Sequence, residues 1–259
     1  MTATCETLTA PQRQPLLHNK YSIRLARNSD DLERCQRLRY EVFFEEMGAK
    51  PERENGRRRL DRDRYDTHCA HLMVIDQTFG ELVATTRLLS SEAALRAGGF
   101  YSQSEFTIAN VLDLPGRFME VGRTCIHPDY RSGSAIMLLW QGILRHVVMD
   151  EIDHLIGCAS VPFTGNHGDI NALTRYLLRQ HGSPAPLRIT PLHPCGGNFA
   201  IAGPESQNMP GLLRAYLRLG AMICGEPCLD EQFKVVDYFV LMSCANLEPR
   251  YARHFIHRN

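Results

Sequence analysis

The chain has 259 residues, of which 44% are hydrophobic and 22% charged, with 29 Lys+Arg against 29 Asp+Glu. Those proportions allow one large folded domain or two small ones and exclude a mainly disordered or collagen-like chain. Zero net charge removes a chain-wide polyanion-binding role, so no nucleic-acid partner is expected. Only Lys20, Lys50 and Lys234 are lysines, which leaves 29 − 3 = 26 arginines, the side chain suited to two-pronged contact with carboxylate and phosphate. The nine cysteines are an odd number and contain no CxxC pair, which reads as reduced cytoplasmic thiols rather than a disulfide framework. Residues 1–20 lack a basic start followed by an apolar run and are expected to be a loose leader, with a single domain over 21–259.

In chain order, residues 21–27 alternate as a first strand. Ser29 or Asp30 then caps a helix to about Met47, with Leu32, Cys35, Leu38, Val42 and Phe43 facing inward. Residues 50–64 hold seven basic and four acidic side chains and are expected as a long exposed loop. Strands at 70–76 and 81–89 join around Phe79-Gly80, and a short helix at 91–97 stops at Gly98-Gly99. A central strand over 118–127, a turn and a helix over 134–149 follow. The uncharged stretch 132–144 is shorter than the roughly 20 residues that span a bilayer and is expected to be a buried helix. A strand at 155–161, a helix at 169–180, an irregular stretch at 187–199, a helix at 210–219 and a strand at 235–242 complete the pattern, with a tail helix after Pro249. Strands alternating with helices predict one α/β (α+β) domain with a mixed sheet flanked by helices.

Four clusters carry possible chemistry. Arg39, Tyr40, Phe43 and Phe44 lie on the first helix, where Arg39 and Phe43 share a face; the plain alternative is an aromatic core stripe. Asp61, Asp63 and Asp66 place three carboxylates within six residues, able to hold an amine or simply to pair with their own loop. The adjacent His68 and His71 sit at i, i+3 near a strand start and point to opposite faces, and no second half of a zinc site is evident, so no metal is expected. Glu120 and Arg123 are also three apart on a strand and would face opposite ways unless the strand is bulged, which Gly122 permits. A bulge would leave backbone N–H groups free to polarise a carbonyl; otherwise the pair is an inter-strand ion pair. Finally, Arg131, Gly133, Ser134 and Ala135 at a helix start offer a small-residue phosphate cradle or merely a cap.

The order Arg39-xxx-Phe43, Asp63-xx-Asp66, Arg87, Glu120-xx-Arg123 resembles the acyl-homoserine-lactone synthases, which have a GNAT-like N-acyltransferase fold. Five longer runs are more similar to a sister family, the bacterial ornithine Nα-acyltransferases long described as hemolysin-like. They are Arg39-Tyr-Glu-Val-Phe43, Phe100-Tyr-Ser-Gln-Ser-Glu-Phe106, the run from Glu120 to Gly133, Leu138-Leu-Trp140-Gln-Gly142 and Gly157-Cys-Ala-Ser160. The tail through Asp230, Phe233 and Asp237 fits the same family, so the likeness extends from about Tyr21 to Phe255. It implies transfer of a 3-hydroxyacyl group from acyl carrier protein to the α-amine of ornithine, giving lyso-ornithine lipid. Acetyl-CoA users of this fold carry a Q/R-xx-G-x-G/A loop. Here a frame from Arg131 puts Ser134 and Ile136 at the small positions, and one from Tyr130 fits only Gly133 and Ala135. That departure disfavours coenzyme A and suits a phosphopantetheine arm brought by the carrier protein, with no cofactor resident in the chain.

On this basis Glu120 is expected to act as base or water-mediated proton acceptor, with Arg123 organising it or holding a substrate carboxylate. Arg39, Phe43, Asp63, Asp66 and Arg87 would bind the acceptor, the two aspartates favouring a cationic amino acid. Thr124, Cys125, Ile126, Arg131, Gly133 and Ser134 would receive the donor arm. Cys125 or Cys158 as an acyl-carrying nucleophile is the alternative. Residues 50–64, at 7 − 4 = +3, with Arg24, Arg27, Arg34 and Arg37, would dock the acidic carrier protein. An apolar product predicts peripheral contact with the inner membrane from the cytoplasmic side. The competing readings are an N-acyl amino acid synthase with another acceptor, a lactone synthase, and a non-catalytic sensor of acyl carrier protein or lipid.

Overall fold

The computed structural model describes residues 16–18, 20–131, 134–163, 165–197 and 208–246. The sheet begins earlier than expected: β1 (Leu16–His18) turns back onto β2 (Tyr21–Leu25), pairing Leu16 with Ile23, so part of the expected leader belongs to the domain. Asn28, rather than Ser29 or Asp30, caps α1 (Ser29–Tyr40), its side chain accepting a hydrogen bond from the Asp31 amide. Helical chain continues as far as expected, but its last turn is a π-helix over Glu41–Glu46. That wider turn breaks the register in which Arg39 and Phe43 would share a face.

Residues 50–64 are not an open loop. α2 (Arg53–Arg58) ends at Arg59 with a left-handed φ of 54°, and the chain then buries Leu60 and Asp61. Counting apolar residues misses this because an ion pair between Asp61 and Arg39 draws the segment inward. β3 (Ala70–Asp76), β4 (Glu81–Ser90) and α3 (Ser91–Ala97) fall where alternation and the Gly98-Gly99 stop place them. β5 (Phe106–Thr107) and α4 (Ala109–Leu112) follow. The second half then runs β6 (Phe118–Ile126), α5 (Ala135–Met149), β7 (His154–Pro162), α6 (His167–His181), β8 (Thr190–Pro191) and α7 (Gly211–Arg218). β9 (Met222–Ile223), β10 (Cys228–Asp230) and β11 (Val235–Ser243) end the described fold. The expected tail helix after Pro249 lies outside the described residues.

Nine strands form one sheet in the order β1-β2-β3-β4-β6-β7-β11-β10, with β9 paired to β11. β6 and β7 pair in parallel and the other neighbours antiparallel. The strands alternate between two covered faces. On β3, Leu72 and Val74 join the cluster beneath α5, while Met73 and Ile75 pack on Cys35 of α1. On β11, Val236, Tyr238 and Val240 join the first cluster, while Phe239 and Leu241 meet Phe106 on the other face. Two covered faces explain why these strands read as nearly unbroken apolar runs. Gly142 lets α5 press onto the sheet, since a Cβ there would lie 2.5 Å from Leu72 and 3.0 Å from Ile23. Among the described residues, no helix is long and apolar enough to cross a membrane.

Candidate active site

The site grows from an irregularity in β6. Thr85 pairs with Cys125 and Arg87 with Gly122, so Thr86 stands opposite both Arg123 and Thr124. This is a β-bulge at the expected place. The unusual backbone belongs to Arg123 itself, at φ 50°, and not to Gly122. A non-glycine residue in that region costs on the order of 1 kcal/mol or more, so the surroundings must hold it there. The extra residue brings Glu120 and Arg123, three apart, into the wall of one cleft.

That cleft opens where the sheet comes apart. Parallel pairing of β6 with β7 runs from Phe118↔His154 to Glu120↔Ile156 and then stops. Gly157 sits at the last close approach, since a Cβ there would lie 2.4 Å from the Val121 carbonyl oxygen. The gap between the strands is a cavity of ≈ 750 Å³. Val42, Trp140 and Tyr216 supply apolar wall, and Glu120, Arg123 and Asp237 supply charge.

Beside the bulge, three arginines and three aspartates close a ring of alternating charge. Arg39 meets Asp61 at 2.8 Å, Asp61 meets Arg123 at 3.3 Å and Arg123 meets Asp63 at 3.6 Å. Asp63 meets Arg87 at 2.6 Å, Arg87 meets Asp66 at 3.2 Å and Asp66 returns to Arg39 at 2.9 Å. Six charges sum to zero in a buried place, where an unpaired one would be costly. Burial works against the ionised form of Asp63 and of Asp66, but Arg87 with Arg123, and Arg39 with Arg87, override it and hold both carboxyls below their usual range. Burial likewise opposes the Arg39 charge, and Asp61 and Asp66 overcome it. Arg39 is 1% exposed and does not reach the cleft wall, whereas Arg87 and Arg123 do. The Arg123 guanidinium lies between two rings, 5.0 Å from Tyr101 and 4.5 Å from Phe233.

Glu120 stands outside this ring. Its Oε2 accepts from the Tyr101 amide at 2.7 Å, and its Oε1 from the Ser102 amide at 2.8 Å and from the Ser102 hydroxyl. Burial raises its affinity for a proton above that of an ordinary carboxyl, and these donors only partly offset the effect. The result is a carboxylate fixed in direction, with room for one more partner on Oε2 and a shifted affinity for protons. A short 3-10 turn over Tyr101–Ser104 supplies both amides.

A second acidic group was not evident from residue spacing. Oxygens of Glu105, Asp230 and Asp237 lie within 4.8 Å of one another, and Asp230 and Asp237 line the cleft. Asp230 and Asp237 come together because β10 and β11 form a tight antiparallel pair, with Asp237 opposite Cys228. Glu105 arrives from the Phe100-to-Phe106 stretch, whose motif was visible while its short turns carry no period to read.

The remaining expected residues divide. Phe43 lines the cleft and meets Phe233 edge-on at 5.9 Å. Thr124 is 2.7 Å from the Thr86 hydroxyl, and Thr124, Cys125 and Ile126 all belong to the wall. Arg131 also lines the cleft, while both its terminal nitrogens bind Glu46, at 2.5 and 2.6 Å. Ser134 begins α5 without a side-chain cap and is not part of the wall; Gly133 lies outside the described residues. Burial raises the Cys125 thiol and the Cys158 thiol above the ordinary value, the opposite of what a thiolate nucleophile needs.

A family model described as an acetyltransferase (GNAT) domain matches residues 38–141. The chain is 36% identical over 250 residues to an L-ornithine N(alpha)-acyltransferase of Agrobacterium fabrum, covering 90% of this chain and 84% of that one. It is 35% identical over 256 residues to the protein of the same name from Rhizobium meliloti, covering 90% and 83%. Among solved structures it resembles FeeM, an N-acyl amino acid synthase from uncultured soil microbes, with a TM-score of 0.51 at 12% identity over 90% of this chain and 93% of that one. It also resembles the CoA-dependent acyl-homoserine lactone synthase BjaI, with a TM-score of 0.52 at 14% identity over 89% and 82%. These structural likenesses concern the fold, which is that of a GNAT-like acyltransferase.

Proposed function

The chain belongs to the L-ornithine N(alpha)-acyltransferase family and is an acyltransferase, and we propose that it moves a 3-hydroxyacyl chain from acyl carrier protein to the α-amine of ornithine, giving lyso-ornithine lipid. The observation that carries this reading is Glu120. It is a buried, raised and oriented carboxylate beside a bulged strand, in the wall of a largely apolar cleft.

In the proposed reaction the neutral amine attacks the thioester carbonyl carbon, so a C–N bond forms. Backbone N–H groups near the bulge at 122–124 stabilise the oxyanion. Collapse breaks the C–S bond. The proton lost by the amine passes through Glu120, directly or by one water, and the departing phosphopantetheine thiolate ends as a thiol. Arg123, held between the Tyr101 and Phe233 rings, receives the acceptor carboxylate. Arg39, Asp61 and Asp66 act one step back, by holding Arg87 and Arg123 in place. Thr124, Cys125 and Ile126 line the path of the donor arm, and Val42, Trp140 and Tyr216 the path of the acyl chain. Reduced use of the Arg131 region for a pyrophosphate favours a protein-borne arm, because both terminal guanidinium nitrogens are already bound to Glu46. The apolar product supports peripheral contact with the membrane.

Purified chain incubated with 3-hydroxyacyl carrier protein and ornithine tests the reading. One amide and one free thiol should appear per turnover, with the acyl-CoA analogue at least about 10-fold poorer in kcat/KM, a gap of roughly 1.4 kcal/mol. No amide, or an equal rate with unrelated amino acids, would overturn it.

A further inference from the structure

The family resemblance gives the acceptor's positive charge to Asp63 and Asp66. Both are already committed to Arg39, Arg87 and Arg123. A cationic substrate would have to break a neutral ring to reach them. The Glu105, Asp230 and Asp237 group is in the opposite state. Among the described residues, no Lys, Arg or His lies within ion-pair distance of any of the three. The charge of Arg123 is felt at Glu105 and Asp237, but its ion pairs go to Asp61 and Asp63. Asp237 accepts a hydrogen bond from the Ser160 hydroxyl at 2.6 Å, and Asp230 one from the Phe233 amide at 2.9 Å. Glu105 is 6% exposed, and neither of its oxygens has a partner in hydrogen-bond geometry, although Tyr101 and Cys158 lie beside it. A buried carboxyl left without donors next to two others is expensive to ionise unless a cation completes the set.

We propose that Glu105, Asp230 and Asp237 form the socket for the side-chain ammonium of the acceptor amino acid, and so decide which amino acid is acylated. The inference rests on the reading of ornithine as acceptor. An ammonium carries three donors and no acceptor, and three carboxylates within 4.8 Å of one another match that number and sign. The socket opens into the same cleft as Glu120 and Arg123. The acceptor is then held at two charged points, its distal ammonium by the trio and its carboxylate by Arg123, whose contacts at 3.3 and 3.6 Å are the two longest in the ring and whose Nε makes no hydrogen bond. The α-amine is left for the thioester. Selectivity follows from chemistry: an acceptor without the distal amine leaves three carboxylates buried and uncompensated.

Norvaline, which is ornithine without its terminal nitrogen, makes the test. With the acyl carrier protein donor, wild-type kcat/KM should favour ornithine over norvaline by about 100-fold or more. In Asp237→Asn and in Glu105→Gln that ratio should fall below about 10, through loss on the ornithine side. Circular dichroism and the melting temperature of each variant should show a fold at least as stable as the wild type. A merely structural trio would lower both rates together and leave the ratio unchanged, which overturns the proposal. Selectivity that disappears on adding EDTA would overturn it in favour of a bound divalent ion. If the wild type acylates ornithine and norvaline equally, the socket fails while the acyltransferase reading stands. If the wild type acylates no ornithine, the reading itself fails, and calorimetric titration of ornithine into the donor-free protein decides the socket alone: binding lost in both variants supports it and unchanged binding refutes it.

Discussion

Glu120 is held by three hydrogen bonds and shifted by burial, so removing its charge separates chemistry from folding. Glu120→Gln keeps most of the donors satisfied, and kcat is expected to fall by about 100-fold or more with the circular dichroism spectrum retained. Near-normal turnover in stopped-time assays would remove Glu120 as the base. The thiols give the converse prediction. Cys158 lines the cleft but burial raises its thiol, so Cys158→Ala should keep turnover within about threefold of wild type and mass spectrometry should find no acyl adduct on the wild-type protein. An adduct on Cys125 or Cys158 would replace direct transfer by a covalent route. At this scale the sequence reading anticipated the bulge that brings Glu120 and Arg123 to one cleft wall, because a glycine between two charges three apart permits one. It misplaced Arg39 and left out Glu105, Asp230 and Asp237. The first depends on where a π-turn starts, and the others on which short strands meet, and neither leaves a periodic trace.

The elements with strong periods, β3, β4, α3 and β6, lie within a residue of where alternation and Gly stops put them. Two-residue strands such as β5, β8 and β9 have no period to detect. The decisive element feature is the divergence of β6 from β7, marked by Gly157. A methyl group there would press on a backbone carbonyl that cannot swing aside. Gly157→Ala is therefore expected to lower the unfolding free energy by about 1–3 kcal/mol, read from urea denaturation; an unchanged midpoint would show that the two strands are not held at that contact. On the outer face, Arg57, Arg58 and Arg59 are exposed at the end of α2, while Arg24 is tied to Asp31 at 2.5 Å and so is withdrawn from the expected docking patch. Changing Arg57, Arg58 and Arg59 together to Ser should raise KM for the acyl carrier protein by about 10-fold at low salt and flatten its salt dependence. Unchanged affinity would move the docking face elsewhere.

For the whole molecule, the balance of 29 against 29 is now divisible into places. The ring of Arg39, Arg87, Arg123, Asp61, Asp63 and Asp66 is neutral in itself. The trio of Glu105, Asp230 and Asp237 has no ion-pair partner among the described residues. The two groups act oppositely on stability as pH changes. Asp63 and Asp66 have depressed folded values, so their stabilisation is present above the unfolded carboxylate value near pH 4 and is lost as pH falls through the folded one. Burial and mutual repulsion raise Glu105 and Asp237, so between their unfolded and folded values the native state holds protons that the unfolded chain has released, and stability falls as pH rises. Asp237→Asn should therefore raise the melting temperature at pH 8 by about 2–4 °C, and the gain should vanish near pH 4, where the unfolded carboxyls are protonated as well. An equal gain at both values would detach the effect from the ionisation of Asp237.

The central claim, transfer of a 3-hydroxyacyl chain to the α-amine of ornithine, is met most directly by tandem mass spectrometry of lipids from a bacterial host that makes none of this product and expresses the chain. The account predicts a new 3-hydroxyacyl-ornithine whose fragments place the amide on the α-nitrogen, and its loss in Glu120→Gln. A lipid carrying another amino acid, an amide on the side-chain nitrogen, or no new lipid beside normal expression would contradict it.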